Sequence, residues 1–249
     1  MTMYMLPFTA GILAGGMNAL AGGGSFVTLP ALIGAGMPSV AANATSSVAL
    51  YPGGVASAWV YRDGLRDVCG VPILPTLIVT IAGGLAGGLL LLWTPSGVFD
   101  GVLPWLLLVA TLVLAFGRRL GAWLRRWVRA SIGSVLAVQF VLGLYGGYFG
   151  GAVGLMMISV WTLLDGAEIK ALNAPRTLMV SAANSVAILS FAIAGIVRWD
   201  AALLVGSGAI AGGYGGAWLG RRLDPMVVRA ATLLLSTAIT VAFFVRFYW

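Results

Sequence analysis

Glycine, amide and hydroxyl residues interrupt an apolar stretch near the start of the chain, where the chemistry open to them is hydrogen bonding. The stretch contains Gly22, Gly23, Gly24 and Ser25, and Asn18 lies in the same run. Three consecutive glycines weaken a helix and leave backbone N–H groups free to face a ligand. Glycine also lets membrane helices pack closely. The run therefore indicates either the lining of a binding site or a helix contact.

A second set of polar residues follows each of the two glycine-interrupted stretches. Asn43, Thr45 and Ser46 follow the first, and Asn173 and Thr177 follow the second. Asparagine at a helix start is often only an N-cap. The same position also offers oriented N–H groups, partial positive charge and neighbouring hydroxyls, which together suit a small oxyanion. Both interpretations remain open for these residues.

Arg176 lies about a turn and a half into an otherwise uncharged segment. A guanidinium there is costly unless it pairs with a ligand or faces water, and its planar fork matches a tetrahedral or pyramidal oxyanion. Alternatively, its side chain extends to the nearby membrane surface. Gly154, which ends the second glycine run, is the weaker counterpart of the glycines in the first run. The pattern favours an anion site that includes Arg176.

The placement of the titratable residues argues against several kinds of site. All seven carboxylates fall in or beside loops, Cys69 is the single cysteine, and histidine is absent. No set of metal ligands, acid/base pair or activated nucleophile can be assembled from these residues. We therefore expect a protein that is not an enzyme and that holds no metal and no cofactor.

The composition is that of an integral membrane protein. The 249 residues are 60% hydrophobic and 8% charged, with a mean hydropathy of +1.02. A soluble domain of this size could not cover its surface with so few charges. The 14 basic residues sit at the ends of apolar segments, which is typical of a topology signal in a lipid bilayer rather than of nucleic-acid binding.

The two glycine runs belong to an ordered series of matches between the halves of the chain. A shift of about 130 residues places Gly15 on Gly146 and Asn43 on Asn173. An ordered series of this kind predicts an internal duplication. The predicted parts are a first membrane repeat at 1–117, a basic cytoplasmic connector at 118–130 and a second membrane repeat at 131–249.

The first apolar segment of each half is too long for one helix across a membrane. About 31 residues would span roughly 46 Å, against a hydrocarbon core of about 30 Å. If each of these segments is a re-entrant hairpin, only Arg198 and Arg246 of the 14 basic residues lie outside. The sequence thus predicts an all-α integral membrane protein with two inverted repeats. Each repeat is a glycine-broken re-entrant helical hairpin followed by three transmembrane helices, and both termini are periplasmic.

With these motifs, the chain resembles the TauE/SafE family of sulfite and organosulfonate exporters, also called the toluene-sulfonate uptake permease group. The resemblance rests on the glycine-rich segment 13–25, the following Pro30 and the Asn-Ala-Thr-Ser-Ser run at 43–47. It implies a permease of the bacterial inner membrane that moves small sulfur-containing anions. With two repeats, we expect export by alternating access around a midplane site between them, and a homodimer is compatible with this. A scaffold subunit without transport activity, and a permease or channel for another small anion, remain alternatives.

The resemblance also implies which residues contact the substrate. The second half departs from the family pattern, because Trp161 stands where the first half has Pro30 and Ala152-Val153 replaces two glycines. The two halves need not contact the anion equally. Together with Asn18 and Thr177 from the residue arguments, the predicted substrate-binding residues are Gly22, Gly23, Gly24, Ser25, Asn43, Thr45, Ser46, Gly154, Asn173 and Arg176.

The predicted topology can be tested with reporters fused to the C-terminus. We expect a C-terminal alkaline phosphatase to be active and a C-terminal green fluorescent protein to be dark, because three crossings per repeat return the chain to the periplasm. Reporters fused to chains truncated within 118–130 are the control. There the alkaline phosphatase should be inactive and the green fluorescent protein should fluoresce. A fluorescent C-terminal fusion would show that the hairpins cross the membrane fully.

Overall fold

The computed structural model describes residues 2–21, 23–124, 131–165, 169–220, 222 and 224–249. This part of the chain is built from α-helices, and its one β-type contact is an isolated bridge between Val68 and Val71. The predicted all-α class is confirmed. The helices of the first half are α1 (Thr2–Ala21), α2 (Ser25–Gly34), α3 (Ser39–Val60), α4 (Ile73–Trp93) and α5 (Ser96–Leu124).

The second half repeats the same order of five helices. Short 3-10 turns at Arg62–Gly64 and Ile169–Leu172 precede α4 and α8. Helix α5 runs into the predicted connector, whose residues 125–130 lie outside the described part. The helices are α6 (Ile132–Tyr148), α7 (Val153–Asp165), α8 (Asn173–Ile193), α9 (Trp199–Gly220) and α10 (Pro225–Tyr248).

Both glycine runs break the helix, as the sequence predicted. Helix α1 ends at Ala21 and α2 begins at Ser25, while α6 ends at Tyr148 and α7 begins at Val153. In the second break the backbone of Gly150 and Ala152 is left-handed, with φ of 73° and 57°. Helices α2 and α7 are only about 15 Å and 20 Å long, which is too short to cross a hydrocarbon core. The re-entrant orientation of the hairpins stays a prediction.

Four of the described helices are long and apolar enough to cross a membrane. The arms of the two hairpins are shorter apolar segments. This pattern agrees with a multi-pass membrane protein. The four candidate spans are Ile73–Trp93, Ser96–Phe116, Asn173–Ile193 and Met226–Tyr248.

The chain folds into two compact units, and each unit takes segments from both halves of the sequence. The first unit comprises Met1–Gly53, Leu92–Thr111 and Phe191–Trp249. The second unit comprises Gly54–Leu91 and Leu112–Ser190. Each unit therefore contains one broken hairpin together with helices from the opposite half.

The first unit is held together by backbone contact between α1 and α9. Glycines on each helix face the main chain of the other so closely that an added Cβ would overlap a carbonyl oxygen. Small residues four apart permit this approach, and they are typical of tight helix pairs in membranes. The overlapping pairs would be Gly11 with Val205, Gly15 with Ala209, Gly208 with Phe8 and Gly212 with Ile12.

The second unit repeats this contact between α4 and α6. A Cβ on Gly83 would overlap the carbonyl oxygen of Phe140, and one on Gly87 that of Leu144. A second side of α4, about 100° round the helix from the first, packs on α8, where a Cβ on Gly88 would lie 2.9 Å from Cα of Ala187. Glycines four residues apart therefore serve close helix packing in this unit as well.

Replacing Gly212 by alanine should destabilise the protein, because the new Cβ would overlap the carbonyl oxygen of Ile12 and push α1 from α9. We expect a loss of about 1–3 kcal/mol, as for other overpacked sites. For a chain of this size this corresponds to an apparent melting temperature lower by roughly 5 °C, measured in detergent micelles.

Gly215→Ala is the matched control on the same helix, because no atom lies within 4 Å of the position its Cβ would take. Alanine favours a helix over glycine by about 1 kcal/mol, so this variant should be as stable as the wild type or more so. Equal melting temperatures for Gly212→Ala and Gly215→Ala would contradict the proposed backbone contact.

Candidate functional site

In the first unit, the predicted residues Gly24 and Ser46 are linked through a threonine that the sequence analysis missed. The Thr28 hydroxyl lies 2.5 Å from the Ser46 hydroxyl and donates to the Gly24 carbonyl oxygen at 3.3 Å. Thr28 and Ser46 are both fully buried. The contact joins the second arm of the first hairpin to α3, so the glycine break and the polar start of α3 are neighbours in space.

Thr45 has a structural role in the first unit. Its side chain is fully buried, and its hydroxyl oxygen accepts the backbone N–H of Arg198 at 3.1 Å. Arg198 directly precedes α9. Thr45 therefore fixes the chain at the entrance to α9, and one of its hydrogen-bonding positions is occupied without a ligand.

The interpretation of Asn43 as the N-cap of its helix is wrong. Helix α3 begins at Ser39, and the N–H of Ala42 already bonds to the carbonyl oxygen of Pro38 at 2.8 Å. Asn43 is buried in the second turn, where the backbone N–H groups serve the helix. The Pro38-Ser39 pair was the start signal that the sequence reasoning overlooked. Asn173, by contrast, does begin α8.

The residues of the first glycine break differ in their surroundings. Gly23 and Gly24 are buried, Ser25 is half-buried and Asn18 is exposed. A Cβ on Gly24 would lie 2.9 Å from the carbonyl oxygen of Ala14, so packing against α1 alone requires glycine there. Gly22 lies outside the described residues. Of the predicted residues in this break, Gly24 is thus the one whose identity packing explains.

In the second unit, the structure brings Gly154 and Arg176 together. A Cβ on Gly154 would lie 3.4 Å from Cδ of Arg176 and 3.4 Å from Cγ2 of Val180. Glycine in α7 therefore makes room for the arginine side chain of α8.

The Nε atom of Arg176 is buried and has no hydrogen-bond partner among the described residues. A buried donor without an acceptor costs about 1–3 kcal/mol, and more when the group is charged. A buried donor left without a partner in a native protein calls for an explanation, such as a bound ion or an ordered water. The arrangement can hold an anion through N–H donors.

The two polar residues beside Arg176 are used differently. Asn173 is half-buried and opens α8. Thr177 is buried, and its hydroxyl donates within the helix to the carbonyl oxygens of Asn173 and Ala174, both at 3.0 Å. Its oxygen still has room to accept. Thr177 therefore shapes the first turn of α8, and its one proton is committed to the backbone.

A buried polar network holds the second hairpin in place. The indole Nε1 of Trp161 donates to Oε1 of Gln139 at 3.0 Å, and Nε2 of Gln139 donates to the Thr80 hydroxyl at 2.8 Å. Trp161 and Gln139 are each 1% exposed. The network connects α7, α6 and α4, so it positions the helix that carries Gly154. Trp161 was noted in the sequence only as a departure from the first half.

The described residues include no group of three or more histidine, cysteine or carboxylate side chains that could hold a metal ion. Among these residues, the candidate sites consist of glycines, hydroxyls, amides and one guanidinium. Such a set can donate hydrogen bonds to an anion, and it lacks the carboxylate ligands that hard cations prefer.

Comparison with known proteins decides the family. A family model described as sulfite exporter TauE/SafE matches residues 7–243. The chain belongs to this family. It is therefore a membrane transporter of the TauE/SafE family, which confirms the resemblance seen in the glycine-rich segment and the Asn-Ala-Thr-Ser-Ser run.

Several curated relatives cover nearly the whole chain. A probable membrane transporter protein of Haemophilus influenzae is 29% identical over 94% of this chain and 91% of its own length. The probable membrane transporter protein ORF9 of a Sinorhizobium species is 25% identical over 94% and 89%. The Escherichia coli K12 protein YfcA, also a probable membrane transporter, is 28% identical over 87% and 78%. No solved structure gives a significant match.

Gln139→Leu should destabilise this TauE/SafE protein, because it leaves the buried indole N–H of Trp161 without its acceptor. We expect a loss of about 1–3 kcal/mol, measured as a lower apparent melting temperature in detergent. Trp161→Phe alone should also destabilise, since it removes the donor to Gln139 Oε1.

The double variant Gln139→Leu with Trp161→Phe separates the hydrogen bond from packing. If the bond matters, the double variant loses less stability than the sum of the two single variants. Strictly additive losses would show that the Trp161–Gln139 bond contributes nothing of its own.

Proposed function

We propose that this TauE/SafE protein is a permease for small sulfur-containing oxyanions, such as sulfite or organosulfonates, in the bacterial inner membrane. It works by alternating access and exports its substrate. The observation that carries the proposal is the buried Nε of Arg176, which has no hydrogen-bond partner among the described residues and lies against Gly154.

The charge of Arg176 supports an anionic substrate. Arg176 is the fourth residue of α8, one of the candidate membrane spans. A guanidinium in such a position requires an anion or water, and its fork matches the spacing of two oxygens on a sulfite or sulfonate group. The start of α8 adds the partial positive charge of a helix N-terminus. Both features favour an oxyanion over a cation or a neutral solute.

The second unit supports direct contact with the substrate more strongly than the first. In the first unit, Thr45 accepts an N–H from Arg198, and Ser46 pairs with Thr28. In the second unit, Nε of the Arg176 guanidinium has no hydrogen-bond acceptor among the described residues. We therefore assign Gly154, Asn173 and Arg176 to the primary contact, with Gly23, Ser25, Ser46 and Thr177 in supporting roles.

The charged residues also bear on how transport is coupled to an energy source and on how the chain is oriented in the membrane. Asp100 lies in the second turn of the candidate span Ser96–Phe116, and no described carboxylate lies nearer the middle of a span, so coupling uses the anion's own protonation, a counter-ion or the membrane potential. The positive-inside rule places the connector 118–130 in the cytoplasm and both termini in the periplasm.

A scaffold subunit would need its glycine faces for a partner, whereas the glycines of α1 and α9 already contact each other.

Arg176→Gln should lower sulfite transport by about tenfold or more, because the variant keeps hydrogen-bond donors but loses the charge that holds the anion. The measurement is sulfite efflux from proteoliposomes that contain the purified protein. Sulfate, sulfoacetate, taurine and chloride in the same assay would define the substrate range.

Arg246→Gln is the matched control, because Arg246 lies exposed in the last turn of α10 and loses the same charge. It should transport sulfite at the wild-type rate. If Arg176→Gln also transports at that rate, Arg176 does not bind the substrate. If the wild type moves none of the anions while remaining folded, the permease proposal is wrong.

A further inference from the structure

Thr80 of α4 is the point at which the buried polar network of the second unit reaches α8. Its hydroxyl oxygen accepts an N–H of Gln139 at 2.8 Å and lies 3.3 Å from Sδ of Met179. Thr80 and Met179 are both fully buried. Met179 belongs to α8 and lies one turn beyond Arg176. The network therefore joins α7, which carries Gly154, to the helix that carries the guanidinium.

The direction of the hydrogen bonds follows from the residue that can only donate. The indole N–H of Trp161 has no acceptor capacity, so Oε1 of Gln139 accepts it and the amide nitrogen faces Thr80. The one proton of Thr80 then has two acceptors, which are the carbonyl oxygen of Thr76 at 2.6 Å and Sδ of Met179. Each of these polar side chains has a partner, and a buried network of this kind rigidifies the helices that it joins.

The network holds α7 and α8 by the sides that form the candidate site. Trp161 follows Gly154 by seven residues, which places the two within about 20° of each other on α7. Met179 follows Arg176 by three residues, which places it about 60° away on α8. Fixing Trp161 and Met179 therefore fixes the rotation of both helices, on which the contact between Gly154 and Arg176 depends.

The first unit has no hydroxyl at the position that matches Thr80. An added Cβ on Gly143 of α6 would overlap the carbonyl oxygen of Thr80, and one on Gly11 of α1 would overlap that of Val205 on α9. Because these contacts join matching helix pairs, Thr80 and Val205 occupy equivalent places. Val205 is fully buried and has no polar atom in its side chain.

The other two polar members of the network are also replaced in the first unit. Phe140 and Phe8 match each other, because glycines of α4 and α9 face their carbonyl oxygens in the same way. The residues before them, Gln139 and Pro7, are therefore equivalent. The counterparts of Thr80, Gln139 and Trp161 are Val205, Pro7 and Pro30. A broken hairpin thus packs in the first unit with apolar residues at all three places, and the network belongs to the unit that holds Arg176.

We propose that Thr80 is a positioning residue for the oxyanion, which acts by holding Arg176 of α8 against Gly154 of α7. The inference rests on the permease function proposed above. Thr80 does not touch the substrate. It sets the place of the guanidinium, because rotation of either helix would move the donor away from the anion. The Thr80 hydroxyl therefore serves the binding of sulfite, whereas the packing of the hairpin can do without it.

Thr80→Val tests the proposal, because valine has nearly the same shape and lacks the hydroxyl. The KM for sulfite efflux from proteoliposomes should rise about tenfold, as when an outer partner of a bound group is removed, while kcat per folded transporter changes less. Thr80→Ser keeps the hydroxyl and should restore a KM close to that of the wild type. In an Arg176→Gln background, Thr80→Val should raise the KM no further, because no guanidinium remains to be positioned.

Thr76→Val is the matched control. Thr76 is equally buried one turn earlier on the same helix, and its hydroxyl donates to the carbonyl oxygen of Pro72 at 2.9 Å, away from the network. This variant should leave the KM unchanged. Equal KM values for Thr76→Val and Thr80→Val, or the same effect of Thr80→Val with and without Arg176, would overturn the inference.

A triple variant keeps the test decisive if Thr80→Val alone does not fold, since the single change leaves the buried Gln139 amide short of an acceptor. Thr80→Val with Gln139→Leu and Trp161→Phe removes every polar partner together and should fold, because no member is left unpaired. Its KM for sulfite should also rise about tenfold. A wild-type KM, with transport still lost in Arg176→Gln, would overturn this inference and leave the permease function standing. A wild type without anion transport would overturn both proposals.

Discussion

Direct contact between helix backbones is the constraint on which the rest of the structure depends. Lipid tails are as apolar as leucine side chains, so the hydrophobic effect gives membrane helices little reason to associate. Here glycines on α1 and α9, and on α4 and α6, bring carbonyl oxygens of one helix against Cα atoms of the other. Dispersion contacts over such close surfaces then stabilise the pair. Each broken hairpin is held by a helix of the opposite half.

The candidate site in the second unit follows from this packing. Helix α4 contacts α6 on one side and α8 on a second side, where Gly84 faces Ala183. With α8 fixed and Gln139 and Trp161 holding α7, Gly154 meets the side chain of Arg176. The guanidinium is thereby held in a position where the described residues give its Nε no acceptor. A rigid frame around an unsatisfied donor is what an anion site requires, because the donor need not reorganise when the ligand arrives.

Local backbone chemistry explains how much of the fold could be predicted. Runs of glycine in apolar sequence predicted both helix breaks, and the lengths of the apolar segments predicted the three helices that follow each hairpin. The prediction for Asn43 failed because Pro38-Ser39 starts α3 four residues earlier. Gly154 and Arg176 were both predicted and are brought together, whereas Thr28, which joins Gly24 to Ser46, was missed. A threonine in a membrane helix usually bonds to its own backbone, and nothing in the local sequence shows that Thr28 also contacts Ser46 of α3.

The sequence by itself determined the membrane class, the two broken hairpins and the family, and it led to the proposal of an anionic substrate. These properties depend on composition, glycine runs and charge placement, which act within one segment at a time. Only the tertiary structure decided that α1 packs on α9 and α6 on α4, and that the hydroxyls of Thr45 and Ser46 are engaged while Nε of Arg176 has no acceptor among the described residues. Whether a polar atom is satisfied depends on partners far away in the chain, which local sequence does not specify.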